Sequence, residues 1–255
     1  AVDSGDFNHD GWLDFFTTNY DKQYPMLLKN LGDGLFADVT REAGTGESCY
    51  ASVNWGCAMV DLDNDGYKDI FICMGHTDDN VEFVDSTTAY RLHNVLFRNL
   101  GNGKFVDVSK ECGLHAVPVH AARGVAFDDF DNDGDLDAAV LNLRERPSVF
   151  RNMLQESGTK NHWLRVRLQG VKTNRDGVGA RVRVVAGELS QIDEVHSGRG
   201  YQSHWGTRLH FGLGSRPRVD RIEVRWIGGG VDVWENIPAD REVVLTEGEG
   251  REPAT

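Results

Sequence analysis

Asp6-Phe7-Asn8-His9-Asp10-Gly11-Trp12-Leu13-Asp14 returns twice along the chain. It comes back as Asp61-Leu62-Asp63-Asn64-Asp65-Gly66-Tyr67-Lys68-Asp69 and as Asp129-Phe130-Asp131-Asn132-Asp133-Gly134-Asp135-Leu136-Asp137. Acidic or amide side chains hold positions 1, 3, 5 and 9, and glycine holds position 6. Alternate positions of a tight loop can aim their oxygens at one centre, and a hard cation such as Ca²⁺ takes about six to eight oxygens at roughly 2.3–2.6 Å. Glycine supplies the positive φ that such a turn needs. The backbone carbonyl at position 7 (Trp12, Tyr67, Asp135) is a natural further ligand. The candidate metal ligands are therefore Asp6, Asn8, Asp10, Trp12 and Asp14; Asp61, Asp63, Asp65, Tyr67 and Asp69; and Asp129, Asp131, Asp133, Asp135 and Asp137. About three calcium ions, one per loop, are expected. The alternative is three acidic turns without metal, but clustered like charges repel unless a cation offsets them.

An EF-hand starts the same way, yet it needs a bidentate Glu at position 12 and a helix on each side. Position 12 is Thr17, Ile72 and Val140. The flanks are short apolar runs, Met59-Val60 and Val125-Phe127 leading in, Ile70-Ile72 and Ala139-Leu141 leading out. Such runs predict strands joined by the loop.

The repeat is longer than the loop. Leu28-Lys29-Asn30-Leu31-Gly32-Asp33-Gly34-Leu35-Phe36-Ala37-Asp38-Val39-Thr40 matches Phe97-Arg98-Asn99-Leu100-Gly101-Asn102-Gly103-Lys104-Phe105-Val106-Asp107-Val108-Ser109, and Phe150-Arg151-Asn152 begins a third copy that stops. The Gly-x-Gly turn predicts a hairpin. Four strands in each unit of roughly 55–68 residues is the period of a propeller blade. The second unit carries an insertion over residues 75–93, and long insertions in repeat proteins often reach out from a binding face. After Asn152 the acidic loops cease. Trp163-Leu168, Ala180-Val185, Arg221-Trp226 and Arg241-Leu245 alternate apolar and charged residues with period two, which predicts a second all-β unit, a sandwich or barrel, over 155–255.

Composition agrees with a globular β protein. Of 255 residues, 40% are hydrophobic, 26% charged and 29 are glycine. No apolar run is long enough for a membrane-spanning helix. Residues 1–154 hold 26 acids and 12 bases, a net of −14, whereas residues 155–255 hold 14 acids and 15 bases, a net of +1. The acidity belongs to the loop-bearing part, and such a surface argues against nucleic acid as partner. It also leads us to expect that removing a cation affects mainly residues 1–154. Four cysteines, Cys49, Cys57, Cys73 and Cys112, show no C-x-x-C spacing, and their pairing is left open. Cys57 and Cys73, inside apolar runs, read as buried thiols.

Taken together, these motifs resemble the FG-GAP/VCBS repeats of integrin α-like propellers. Gly170-Val182, Gly198-Ser203, Leu209-Gly214 and Val224-Trp226 resemble the ASPIC/UnbV domain. The resemblance implies a calcium-loaded β-propeller over residues 1–154, followed by an ASPIC/UnbV-like β domain over 155–255. Only three blades are present, and propellers close with about four to eight. We therefore expect further blades upstream in a longer parent chain.

Histidines offer no H-E-x-x-H or comparable ligand spacing, and no G-x-S-x-G, P-loop or dinucleotide fingerprint occurs. Loops of this type fill where free Ca²⁺ is millimolar, outside the cytosol. The expectation is an extracellular or periplasmic calcium-binding adhesion or ligand-binding module, recognising carbohydrate or protein, and not an enzyme. The alternatives are a secreted enzyme with its site on a propeller face or in a second-domain groove, or a purely structural module of a larger secreted protein.

Overall fold

In a computed structural model, which describes residues 1–253, the chain is built of strands. β1 (Val2–Gly5), β2 (Asp14–Thr17), β3 (Met26–Gly32) and β4 (Leu35–Asp38) form one antiparallel sheet in chain order. β5 (Asn54–Val60), β6 (Asp69–Met74), β7 (Val95–Asn99) and β8 (Phe105–Asp107) repeat it. β9 (Ala122–Asp128), β10 (Asp137–Asn142) and β11 (Ser148–Phe150) repeat it again without a fourth strand. Each acidic loop joins the first strand of its sheet to the second.

The sequence of the second sheet shows why it stands in the middle. Met59, Ile70 and Ile72 pack with Phe16 and Leu27 of the first sheet. Ala58, Val60, Phe71 and Cys73 pack with Val125, Phe127 and Val140 of the third. A sheet covered on both faces needs apolar residues at successive positions, and β6 is buried at all six of its positions.

Residues 162–246 add β12 (His162–Gln169), β13 (Arg181–Ala186), β14 (Leu189–Glu194), β15 (Leu209–Gly214), β16 (Arg218–Arg225), β17 (Val231–Pro238) and β18 (Arg241–Thr246). They make two sheets, β15-β12-β18 and β14-β13-β16-β17, with β12 and β18 parallel. The period-two residues Leu164, Val166, Val182, Val184, Phe211, Ile222 and Val224 from both sheets share one apolar cluster.

The protein is thus all-β with a propeller arrangement, as the repeats imply. The number of sheets is the correction: five follow one another, where repeat counting gives three blades. The two additional sheets carry neither the acidic loop nor the Gly-x-Gly hairpin, so a count based on those signals passes over them.

Residues 198–205 leave this last part and lie across the inner strands of the first three sheets. Gly200 N–H donates to Val2 O at 3.1 Å. A side chain at Gly200 would meet Cys57 O at 2.8 Å. Tyr201 packs edge-on against Trp55, and Trp205 edge-on against Phe127. Buried Arg199 forks onto Asp3 with bonds of 2.8 and 2.9 Å and lies over the Trp205 ring. Among the described residues all four cysteines are free thiols; Cys49, Cys57 and Cys73 are buried and Cys112 is exposed. Burial pushes the thiols of Cys49, Cys57 and Cys73 up.

Candidate metal centres

The three loops share one fold, set by local backbone chemistry. Position 4 adopts a left-handed conformation in each, with φ of 59° at His9, 57° at Asn64 and 62° at Asn132. The glycine that follows two residues on also has positive φ, at 85°, 102° and 100°. The position-1 carboxylate accepts the glycine N–H, in Asp6–Gly11, Asp61–Gly66 and Asp129–Gly134 pairs of 2.8–2.9 Å. The position-5 carboxylate accepts the N–H of position 7, as Asp10 does from Trp12, Asp65 from Tyr67 and Asp133 from Asp135.

The position-9 carboxylate ties the loop to its sheet. Asp14 accepts Phe7 N–H and Asn30 N–H, Asp69 accepts Leu62 and Asn99, and Asp137 accepts Phe130 and Asn152. The asparagines answer in turn. Asn30, Asn99 and Asn152 donate their side-chain amides to Leu13 O, Lys68 O and Leu136 O. Asn99 also reaches Phe7 O at 2.9 Å and Asn152 reaches Leu62 O at 2.8 Å, in each case the loop of the preceding sheet. These asparagines recur in the sequence repeat, but their role is visible only in the fold, because the carbonyl they bridge to lies about 90 residues away.

Side chains of Asp61, Asp63 and Asp69 bring oxygens within 4.8 Å of one another, and so do those of Asp129, Asp131 and Asp137. Positions 1, 3 and 9 therefore converge in the second and third loops. In the first loop position 3 is Asn8, and Asp10 pairs with Lys29 at 3.3 Å. A further triad, Asp133, Asp135 and Glu156, lies beside the third loop. There the Asp135 side chain, and not only its carbonyl, joins the acidic group, which the sequence pattern did not anticipate.

Crowded and buried carboxylates resist ionisation. Burial, and then the neighbouring acids, push Asp6 and Asp65 up to about 6. Burial first also pushes Asp14 and Asp135 up to about 7. Asp61 and Asp69, fully enclosed, are raised well above the usual range by the same causes. Asp61 Oδ1 and Asp135 Oδ1 are buried and accept no hydrogen bond among the described residues. A buried carboxylate oxygen without a donor is costly. An all-oxygen, acid-rich donor set with such free oxygens fits a hard divalent cation. These buried Asp clusters can hold a metal ion.

Residues 162–246 close over the loops. Lys68 donates to Asp193 at 2.6 Å across a buried boundary. Neighbouring Lys68 and His196 hold Asp193 well below the usual carboxylate range against its burial. His210 Nε2 lies 2.6 Å from Asn64 Oδ1, and burial lowers this imidazole to about 3, so it stays neutral. Arg165 reaches Asp129 at 3.3 Å and lies over the Trp163 ring. Gly134 presses against Trp163, whose Nε1 would lie 1.9 Å from any Cβ there. The loops are also tied to each other, His9 to Gly66 O at 2.9 Å and Asn64 to Gly134 O at 3.0 Å. These contacts change the expectation that a cation's removal is felt mainly within residues 1–154, since the loops are walls of the boundary itself.

Residues 6–72 match the family model of the FG-GAP-like repeat, and residues 170–252 match that of ASPIC and UnbV. Cartilage acidic protein 1 of Xenopus tropicalis is similar at 27% identity over 240 residues, covering 90% of this chain and 34% of that protein. The chain therefore spans about a third of the length of that relative.

Proposed function

For a chain that carries FG-GAP-like repeats joined to an ASPIC/UnbV region, we propose the role of a calcium-loaded extracellular recognition module that binds a protein or carbohydrate and performs no catalysis. The observation that carries the calcium reading is the convergence of positions 1, 3 and 9 in the second and third loops, with Asp61 Oδ1 left free. In this reading one ion sits in each loop, bound by carboxylates, by Asn8 in the first loop, and by the position-7 carbonyls. When bound, the ion offsets the burial and the neighbouring charge that raise these carboxylates, and so sets the loops on which residues 162–246 rest. The proposed extracellular setting is supported by the millimolar calcium that such sites need and by the likeness to cartilage acidic protein 1. Recognition draws support from the insertion, where Phe83 and Val84 are 90% and 85% exposed among Asp78, Asp79, Glu82 and Asp85.

Asp131→Ala tests the metal assignment. Asp131 is exposed and belongs to the third loop's triad. Calorimetric titration should show one fewer calcium site than in the wild type. The melting temperature should fall much more in millimolar calcium than in EDTA, where only the exposed pair of Asp131 with Arg151 is lost, because a bound ligand at a hundredfold excess over Kd contributes about 2.7 kcal/mol. Asp79→Ala, also exposed, serves as control. An equal fall in both conditions would make the loop an ordinary acidic turn. Glycan and protein arrays probed with and without Ca²⁺ then address the ligand.

A further inference from the structure

The third sheet stops one strand short of the pattern set by the first two. In the first sheet Leu27 turns its N–H and C=O toward β4's extension. Its N–H donates to Thr40 Oγ1 at 2.8 Å, and its C=O accepts Val39 N–H at 2.9 Å. In the second sheet Leu96 does the same with Ser109 Oγ at 3.0 Å and Val108 N–H at 2.9 Å. The hydroxyl is held ready by an aspartate two residues earlier, since Asp38 accepts from Thr40 and Asp107 from Ser109. Leu27 pairs with Phe16, Leu96 with Phe71, and Val149 with Ala139 in the same register. Val149 is thus the third member of the series, and its N–H and C=O point away from β10. β11 is the edge of its sheet, and among the described residues no strand lies beyond it. Beyond Asn152 the chain makes a turn over 154–158 in place of the Gly-x-Gly hairpin.

We propose that the free edge of β11 is a strand-accepting interface for an extended segment of another polypeptide that reads Phe-x-Asp-Val-Ser/Thr and is followed by an acidic residue. The reading is independent of calcium. Each letter follows from the two completed sheets. Valine and the hydroxyl residue meet the C=O and N–H of Val149, and the aspartate orients the hydroxyl. Phenylalanine takes the place of Phe105, which rests on Phe7 at position 2 of the preceding loop with ring centroids 5.8 Å apart. The residue at that place beside the third sheet is Leu62, half-buried against the same apolar cluster as Phe150. The acid is asked for by charge. Arg144 and Arg146 are exposed in the turn between β10 and β11 and have no acidic partner among the described residues. The equivalent turn of the first sheet carries Tyr24, against which Gly46 and Glu47 of the segment after Thr40 fold. Main-chain pairing gives a docked strand its affinity, and alternate side chains give it specificity. Open edges are sites where another chain pairs readily.

The probe is a fluorescein-labelled peptide with the sequence of residues 34–44, Gly-Leu-Phe-Ala-Asp-Val-Thr-Arg-Glu-Ala-Gly. Anisotropy with the intact chain should show saturable binding. Val149→Pro, which removes the N–H, should weaken it at least tenfold, as should valine in place of the peptide's threonine. Val149→Ala, which keeps the backbone, should stay within threefold. In the unmodified protein, the Val149 amide should exchange at least tenfold more slowly with peptide present, which keeps the test valid if Val149→Pro misfolds. No saturable binding up to millimolar peptide, equal binding of a scrambled peptide, or an unprotected Val149 amide would overturn the proposal.

Discussion

Replacing Lys68 by methionine should destabilise the protein strongly at neutral pH and much less in mild acid. Lys68 and Asp193 are 6% and 1% exposed, and their side chains meet at 2.6 Å. Methionine keeps most of the stem and removes the charge. Asp193 then has two ways to respond. It can remain ionised in a closed boundary, at the ~3–5 kcal/mol typical of a broken buried pair. Or it can take up a proton, which at pH 7 costs about 4 kcal/mol for a carboxyl of ordinary pKa near 3.9, at 1.36 kcal/mol per unit. Both routes give about 4 kcal/mol at pH 7. The second falls to about 1.5 kcal/mol at pH 5. The sign follows from the direction of the shift. Lys68 and His196 hold Asp193 low in the fold, so its contribution is present above the unfolded pKa and fades as pH falls through the folded one. That contribution is intact in the wild type at both pH values, and the gap narrows between pH 7 and pH 5 because Asp193 of the variant takes up its proton at lower cost. Lys68→Met with Asp193→Leu should recover most of the loss, because an apolar pair can replace a buried ion pair at little cost. Urea unfolding in saturating calcium, at both pH values, measures all three proteins; saturation matters because Lys68 stands beside Asp61. A loss under about 1 kcal/mol for Lys68→Met, or a loss that does not vary with pH, would refute the reasoning.

In EDTA the protein should melt lower at pH 7.5 than at pH 5. Burial raises Asp6 and Asp65 to about 6 and Asp14 and Asp135 to about 7, so their contribution is full below the unfolded pKa and is lost as pH rises through the folded values. Saturating calcium should remove or reverse that trend, and thermal melts in both buffers would show it. Asn99→Ala should cost about 2–4 kcal/mol, because it strips a donor from Phe7 O and Lys68 O and an acceptor from Gly101 N–H. Asn30→Ala, which breaks no bond to another sheet, should cost about half as much in the same denaturation assay.

The nine-residue loops were legible in the sequence because everything that shapes them is local. Glycine at position 6, an acid at position 1 to cap its N–H, and an acid at position 5 to cap position 7 all fall within one turn. Blade strands were legible for a similar reason, since apolar runs and period-two alternation record which faces are covered. The count of sheets was not, because residues 162–246 share the strand pattern but none of the loop signals. Only tertiary structure decided what the loops touch. Lys68 and Asp193 are 125 positions apart, and His210 and Asn64 are 146 apart. No spacing rule links such residues, since each pair forms only once two separately folded surfaces have excluded water between them. The bridging amides of Asn99 and Asn152 belong to the same class. Their recurrence is plain in the sequence, but the carbonyl each one satisfies is supplied by the neighbouring sheet. The unpaired edge at Val149 is also a tertiary fact. A truncated third repeat can be read from the letters, but which backbone groups it leaves without a partner depends on the register with which β11 meets β10.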